Sequence, residues 1–350
     1  MQSSHKFLTV LAGAAACAFA APLPAQTNSY STPVGFITLR VKGTTNGQAF
    51  ALSFLGLGMV RSVDHVGTLE GYGANYLVDT NAVWATNQFA GTNGSFCVEI
   101  TSGPNAGVFS DIVSNGATNI VTADNLASLL SGGESFRVNK NWTLGSLFGD
   151  TNSVGLGGGT STSADEVLLH NPILGTYSNY YYQTSGLGGR GWRLSGAPTV
   201  SMSNTVIGID QGVLVRRKTN GDVAFALSGT VKLGQTVMAV ETNLVILGNV
   251  YPVTNLTLGG SGLYTTNDVT GLVGGTSGSA DLILTYSNGQ YYSYYYQTNG
   301  LGGIGWRLAG SPTSNRASVV IEPGTSVLIQ RKAGRPPFNW RVPQPFTVGN

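Results

Sequence analysis

Along most of the chain, apolar and polar residues alternate in short runs, and Gly, Asn, Ser or Pro separates one run from the next. A period of two marks strands with one buried face, not helices. Gly35-Phe-Ile-Thr-Leu-Arg-Val41 and Phe96-Cys-Val-Glu-Ile-Thr-Ser102 alternate in this way, Ala49-Phe-Ala-Leu-Ser-Phe-Leu55 is an apolar run, and Val108-Phe-Ser-Asp-Ile-Val113 and Ser135-Phe-Arg-Val138 are further short strand-like runs. A helical pattern is confined to Ala123 to Leu130, with Asp124 and Asn125 near its start and Gly132-Gly133 after it. The expected fold class is all-β: tandem small antiparallel sandwich or barrel-like units with a duplicated C-terminal half and at most one short helix.

The duplication is explicit. Tyr180 to Thr199 returns at Tyr294 to Thr313, and only Ser185/Asn299, Arg190/Ile304, Ser195/Ala309 and Ala197/Ser311 differ. Val213-Leu-Val-Arg-Arg-Lys218 returns as Val327-Leu-Ile-Gln-Arg-Lys332. Within one copy the pattern is a meander. Tyr292 to Thr298 is a strand, Asn299-Gly300 opens a hairpin, and Gly305 to Leu308 runs back. Alternation places Trp306 and Leu308 on one face and Arg307 on the other. The expected organisation is a signal segment 1–25, a β domain 26–140, a first copy 141–250 and a second copy 251–350 with a proline-rich tail. The strand-like runs between Asp222 and Tyr251 are expected to complete copy one. The prolines of Arg335-Pro-Pro-Phe-Asn-Trp-Arg-Val-Pro-Gln-Pro-Phe346 limit that tail to an edge strand or a docked extended segment.

Composition adds three constraints. Charged residues make up only 10% of the chain and glycine accounts for 50 of its 350 residues, so Gly, Ser, Thr and Asn must cover the surface. A net charge of +2 without a basic stripe excludes a nucleic-acid footprint. The first residues read as a secretory signal: His5-Lys6, an apolar Phe7 to Ala21, and an Ala18-Phe-Ala20 cleavage pattern. Cys17 after Ala14-Ala-Ala16 keeps a lipoprotein alternative open. Signal removal leaves Cys97 as the lone thiol, expected to be buried, and leaves no transmembrane segment.

Candidate chemistry is sparse. Gly186-Leu-Gly-Gly-Arg-Gly191 and Gly300-Leu-Gly-Gly-Ile-Gly305 match a dinucleotide fingerprint in letters, but Trp-Arg-Leu follows as a strand where a helix is required. His65 and His170 stand in no metal spacing, and no nucleophile elbow or P-loop is present. Asp150, Asp165, Asp268 and Asp281 beside glycine-rich loops keep calcium open, without a regular ligand spacing. No cofactor and no metal is expected. Ligand-binding candidates are Tyr182, Trp192 and Arg193 in copy one and Tyr296, Trp306 and Arg307 in copy two. Each Trp reads either as a core anchor or as a stacking platform for a sugar ring. Each Arg reads either as the partner of Asp165 or Asp281, or as the lining of a polar groove.

Pro33-Val-Gly-Phe-Ile37, Thr101-Ser-Gly-Pro-Asn-Ala-Gly107, Ser135-Phe-Arg-Val138, Trp142-Thr-Leu-Gly-Ser-Leu-Phe148, Tyr180-Tyr-Tyr182, Gly191-Trp-Arg193 and Pro198-Thr199 together resemble a family of secreted, function-unassigned paralogous proteins found mainly in Verrucomicrobia. The resemblance spans about residues 30 to 235. It implies export and β structure and supplies no activity. The functional expectation is an exported, non-enzymatic structural or adhesive protein of the bacterial surface, with a second copy of itself or a surface glycan as partner. The alternative is a carbohydrate-binding module using Tyr and Trp platforms.

Overall fold

The computed structural model describes residues 33–45, 47–287 and 289–345. The expected signal segment and Cys17 lie outside the described residues. The described chain is almost entirely antiparallel β, and its sheets form sandwiches without a closed barrel.

Each copy is a five-stranded sheet faced by a two-stranded ribbon. In copy one the sheet runs Gly191–Leu194, Thr176–Gln183, Glu166–Asn171, Val213–Arg217 and Ala51–Leu55. Val34–Val41 paired with Val223–Thr230 covers it. In copy two the order is Gly305–Leu308, Gln290–Gln297, Leu282–Ser287, Ser326–Gln330 and Leu244–Gly248. Thr236–Val240 paired with Phe338–Val342 supplies its ribbon, so the proline-flanked tail is indeed a strand with one partner.

Pairing crosses the segment boundaries expected from the sequence. Ala51–Leu55 belongs to the sheet of copy one, with Leu55 opposite Val213. Leu244–Gly248 belongs to copy two, with Leu247 opposite Val327. Of the three runs expected to complete copy one, only Val223–Thr230 does so. A seven-stranded antiparallel sheet built from residues between Ser62 and Lys140 is therefore inserted between the early and late strands of copy one. Its apolar face gathers Phe96, Val98, Ile100, Phe136 and Val138 over Trp84 and Phe89.

The alternation of each strand explains its packing. In copy one, Val167, Leu169, Val213, Val215, Tyr180, Tyr182 and Trp192 face the ribbon residues Ile37, Leu39, Val41 and Leu227. The opposite parity, Phe54, Leu168 and Leu214, meets Ile246 and Leu328 of copy two in a separate apolar cluster. The two copies thus pack sheet to sheet. Their contacts are reciprocal, as in a twofold dimer. Gly56 N donates to Gly324 O at 3.1 Å, and Gly248 N donates to Asp210 O at 2.7 Å. Gly212 N donates to Ile246 O at 3.0 Å, while Ser326 Oγ donates to Leu55 O at 2.7 Å.

Helix is minimal. Ala127–Leu129 forms one 3-10 turn inside the stretch expected to be helical. The α-helix is Leu144–Phe148 instead, capped by Thr143, whose side chain accepts from Ser146 N. It docks Leu147 and Phe148 into the core of copy one. Among the described residues no helix is long and apolar enough to cross a membrane.

Candidate functional site

The duplicated aromatic-glycine hairpins are the obvious place to look, and both are closed on themselves. Trp192 and Trp306 are buried in the cores of their copies, and Tyr182 is buried against Trp192 with ring centroids 5.6 Å apart. The Trp192 indole nitrogen donates to Gly149 O at 2.8 Å, so its polar edge is satisfied inside. Tyr296 is half-buried and stacked on Tyr264 at 3.5 Å between centroids. A sugar needs a free ring face; these rings have spent theirs on protein.

Arg193 and Arg307 are also buried, and neither pairs with Asp165 or Asp281. Arg193 Nη1 donates to Trp192 O at 3.1 Å and its Nη2 donates to the carbonyls of Gly188 and Gly189. Arg307 repeats this on Trp306, Gly302 and Gly303. Gln183 Nε2 donates to Leu187 O and Gly189 O, and Tyr181 donates its hydroxyl to Gln183 Oε1. Tyr295 and Gln297 hold Leu301 and Gly303 in the same way. A tight glycine loop turns several carbonyls toward one point, and a planar guanidinium with an amide beside it satisfies them together. The glycines are needed because the backbone closes on itself: a Cβ on Gly302, at φ +89°, would stand 2.6 Å from Thr313 Cα.

The two aspartates are structural as well. Asp165 accepts from Gly157 N, Lys218 N and the Thr219 hydroxyl and pairs with Arg217 at 3.0 Å. Asp281 accepts from Val273 N and Lys332 N and pairs with Arg331 at 2.9 Å. Among the described residues, no three His, Cys, Asp or Glu side chains gather as a metal site. Cys97 is buried, and burial pushes its thiol pKa up, away from thiolate reactivity.

Open aromatic surface lies elsewhere, where the two copies meet. Phe54 of copy one packs edge-on against Tyr286 and Tyr291 of copy two, at 5.6 and 6.1 Å between centroids. Tyr286 and Tyr291 lie 4.8 Å apart, opposite each other across one hairpin. Phe50 stands on the other wall, with the Arg216 guanidinium 5.8 Å from its ring centre. Tyr291 is 50% exposed and Phe50 48%. A groove of about 400 Å³ is lined by Phe50, Phe54 and Tyr286, together with Arg40, Lys42 and Gln48. A second hollow of about 220 Å³ continues past Phe54 and Tyr286 toward Glu322 and Thr325. Burial, together with the neighbouring Tyr286 and Tyr177, pushes the Tyr291 hydroxyl pKa up, so it stays a neutral donor at physiological pH. On the wall behind Phe50, Glu166 takes bonds from both Arg216 and Lys218.

No family model, curated protein or solved structure matches the chain. The chemistry of the groove therefore has to speak for itself. None of its rings was among the sequence candidates. Phe50 and Phe54 read only as part of the run Ala49 to Leu55, because nothing local announces that this segment comes to face the hairpin of copy two.

Proposed function

We propose that this chain is an exported, non-enzymatic β protein with an adhesive role, holding surface carbohydrate in the groove between its two copies. The single observation behind this reading is the groove of about 400 Å³ lined by the Phe50, Phe54 and Tyr286 rings. Pyranose rings present C–H faces that pack on aromatic planes and hydroxyls that seek donors at the edge. Phe50 and Tyr286 offer the planes; Arg40 and Gln48 offer the donors. Lys42 is held by Asp222 at 2.7 Å, so Arg40 is the lining cation that favours a glycan carrying carboxylate or sulfate groups. The duplicated hairpins serve as scaffold, setting the copies at a fixed spacing.

Binding of the purified protein to a panel of acidic and neutral polysaccharides tests this. Wild type should bind an acidic polysaccharide. Tyr286→Ala and Phe50→Ala should each weaken it by about tenfold, the equivalent of roughly 1.4 kcal/mol of stacking. Trp192 and Trp306 fluorescence should stay at wild-type values. Binding that survives both substitutions would falsify the assignment of the groove.

A further inference from the structure

The face of the seven-stranded sheet opposite its apolar core is polar, and it carries a buried group that the adhesive reading does not use. Cys97 pairs with Asn139 and Glu99 with Arg137 in register, so Glu99, Arg137 and Asn139 share one face of two adjacent strands. Lys232, from the segment joining copy one to copy two, comes down on this face. Lys232 is 0% exposed, Glu99 1% and Asn139 1%. The Glu99 carboxylate holds both nitrogens at once: its Oε1 lies 2.5 Å from Lys232 Nζ, and its Oε2 accepts from Asn139 Nδ2 at 2.8 Å. Arg137 completes the cluster on Oε2 at 2.8 Å. Asn139 Oδ1 is buried without a hydrogen-bond partner.

As a plain ion pair this arrangement is poorly balanced. Two cations, Lys232 and Arg137, touch one almost wholly buried carboxylate, and a buried uncompensated charge is expensive. Burial pushes the Lys232 ammonium pKa down, toward the neutral amine. Burial opposes the ionisation of Glu99, yet Lys232 and Arg137 hold its carboxyl below the usual range. A primary amine and a carboxamide held on the two oxygens of one buried carboxylate are the reactants and the acid–base catalyst of an amide exchange.

We propose that Lys232 and Asn139 form an intramolecular isopeptide bond, with Glu99 as its general base and acid. Lys232 passes a proton to Glu99 Oε1, and the neutral Nζ attacks Asn139 Cγ. The tetrahedral centre collapses as the carboxyl returns the proton at Nδ2. The Cγ–Nδ2 bond breaks, a Cγ–Nζ bond remains, and the second Nζ proton passes through Glu99 to the departing ammonia, which leaves as ammonium. Nothing is oxidised or reduced, and no further reactant enters. A cleft of about 200 Å³ lined by Glu99, Arg137 and Gly234 gives the ammonia a way out. The product keeps Glu99 and Arg137 as a balanced pair and removes the surplus charge. The bond ties the inserted sheet to the junction of the two copies.

Intact-mass spectrometry of the folded protein decides this. Wild type should weigh one ammonia less than its sequence, and a tryptic digest should contain a branched peptide joining the segments around Asn139 and Lys232. Lys232→Ala, Asn139→Ala and Glu99→Gln should each restore the full mass. Asn139→Asp should instead form the bond with loss of water, a shift that a purely structural role would not produce. Folded wild type at full sequence mass overturns the proposal, as does an ammonia loss without the branched peptide. Both readouts come from wild type, so variants that fail to fold do not weaken the test.

Discussion

Asp281→Asn tests whether a buried carboxylate holds copy two together. Asp281 and Arg331 are both fully buried, and their link at 2.9 Å fastens the start of strand Leu282–Ser287 beside the end of Ser326–Gln330. The carboxylate also accepts from Val273 N at 2.9 Å and Lys332 N at 2.8 Å. Arginine has little other support there: Nη1 and Nη2 have no hydrogen-bond partner, and its guanidinium rests 4.7 Å from the centre of the Phe338 ring. Asparagine keeps the shape but offers one acceptor oxygen where there were two, and it removes the counter-charge. Leaving the guanidinium buried and unpaired should cost about 3–5 kcal/mol. Urea unfolding followed by tryptophan fluorescence reads this directly, because Trp306 and Trp340 both lie in the core of copy two. The double variant Asp281→Asn/Arg331→Met removes the stranded charge, so it should be more stable than Asp281→Asn alone. A single variant losing less than about 1 kcal/mol, or a double variant losing the sum of both single effects, would refute the reasoning.

Two further outcomes follow from backbone and charge. Gly302→Ala should cost about 1–3 kcal/mol more than Gly303→Ala in the same unfolding assay. Both glycines have positive φ, but a Cβ at Gly302 meets Thr313 and Pro312 whereas at Gly303 it meets open space. Asp210 lies where the copies meet, and burial pushes its carboxyl pKa from 3.8 up to about 6. A raised carboxyl pKa means the folded state favours the protonated form, so the contribution is full below pH 3.8 and is lost as pH rises through 6. Asp210→Asn should therefore gain stability relative to wild type above pH 6 and lose that advantage toward pH 4; an advantage unchanged across this range would contradict the assignment.

The parity of the strands was legible, and with it much of the core. Alternation placed Trp306 and Arg307 on opposite faces, and they lie there, one in the core of copy two and the other over the glycine loop. What alternation cannot specify is the partner of an inward arginine. Carboxylates seemed the natural acceptors, but the hairpin turns its own carbonyls toward Arg193 and Arg307, and the aspartates take the next arginines along, Arg217 and Arg331. The early strands were misassigned for a different reason. Val34–Val41 pairs with Val223–Thr230 across the whole inserted sheet, and such pairing has no local signature. The short helix Leu144–Phe148 was hidden by its length: five residues cannot display a helical period, and only the Thr143 and Ser146 cap marks it.

Residues shared by the two copies and residues that differ between them do different work. Shared residues, the Tyr-Gln-Arg clamp, the aspartate at the strand start and the core Trp, are all consumed within their own copy. The groove is built where the copies depart from each other. Tyr286 faces Tyr291 at the register position where copy one has His170 facing Tyr177. Phe54 stands where copy two has Ile246, as their equal pairing one residue before Leu55 and Leu247 shows. The connection 42–50, which carries Gln48 and Phe50, corresponds in copy two to the short connection 241–243. A perfectly symmetric pair of copies would have two equivalent clefts, whereas here Phe54 and Tyr286 stand where the other side has Ile246 and His170. Binding lost through Trp306 would report a damaged scaffold; binding lost through Tyr286 or Phe50, with the scaffold intact, would report the surface that the duplication left free to change.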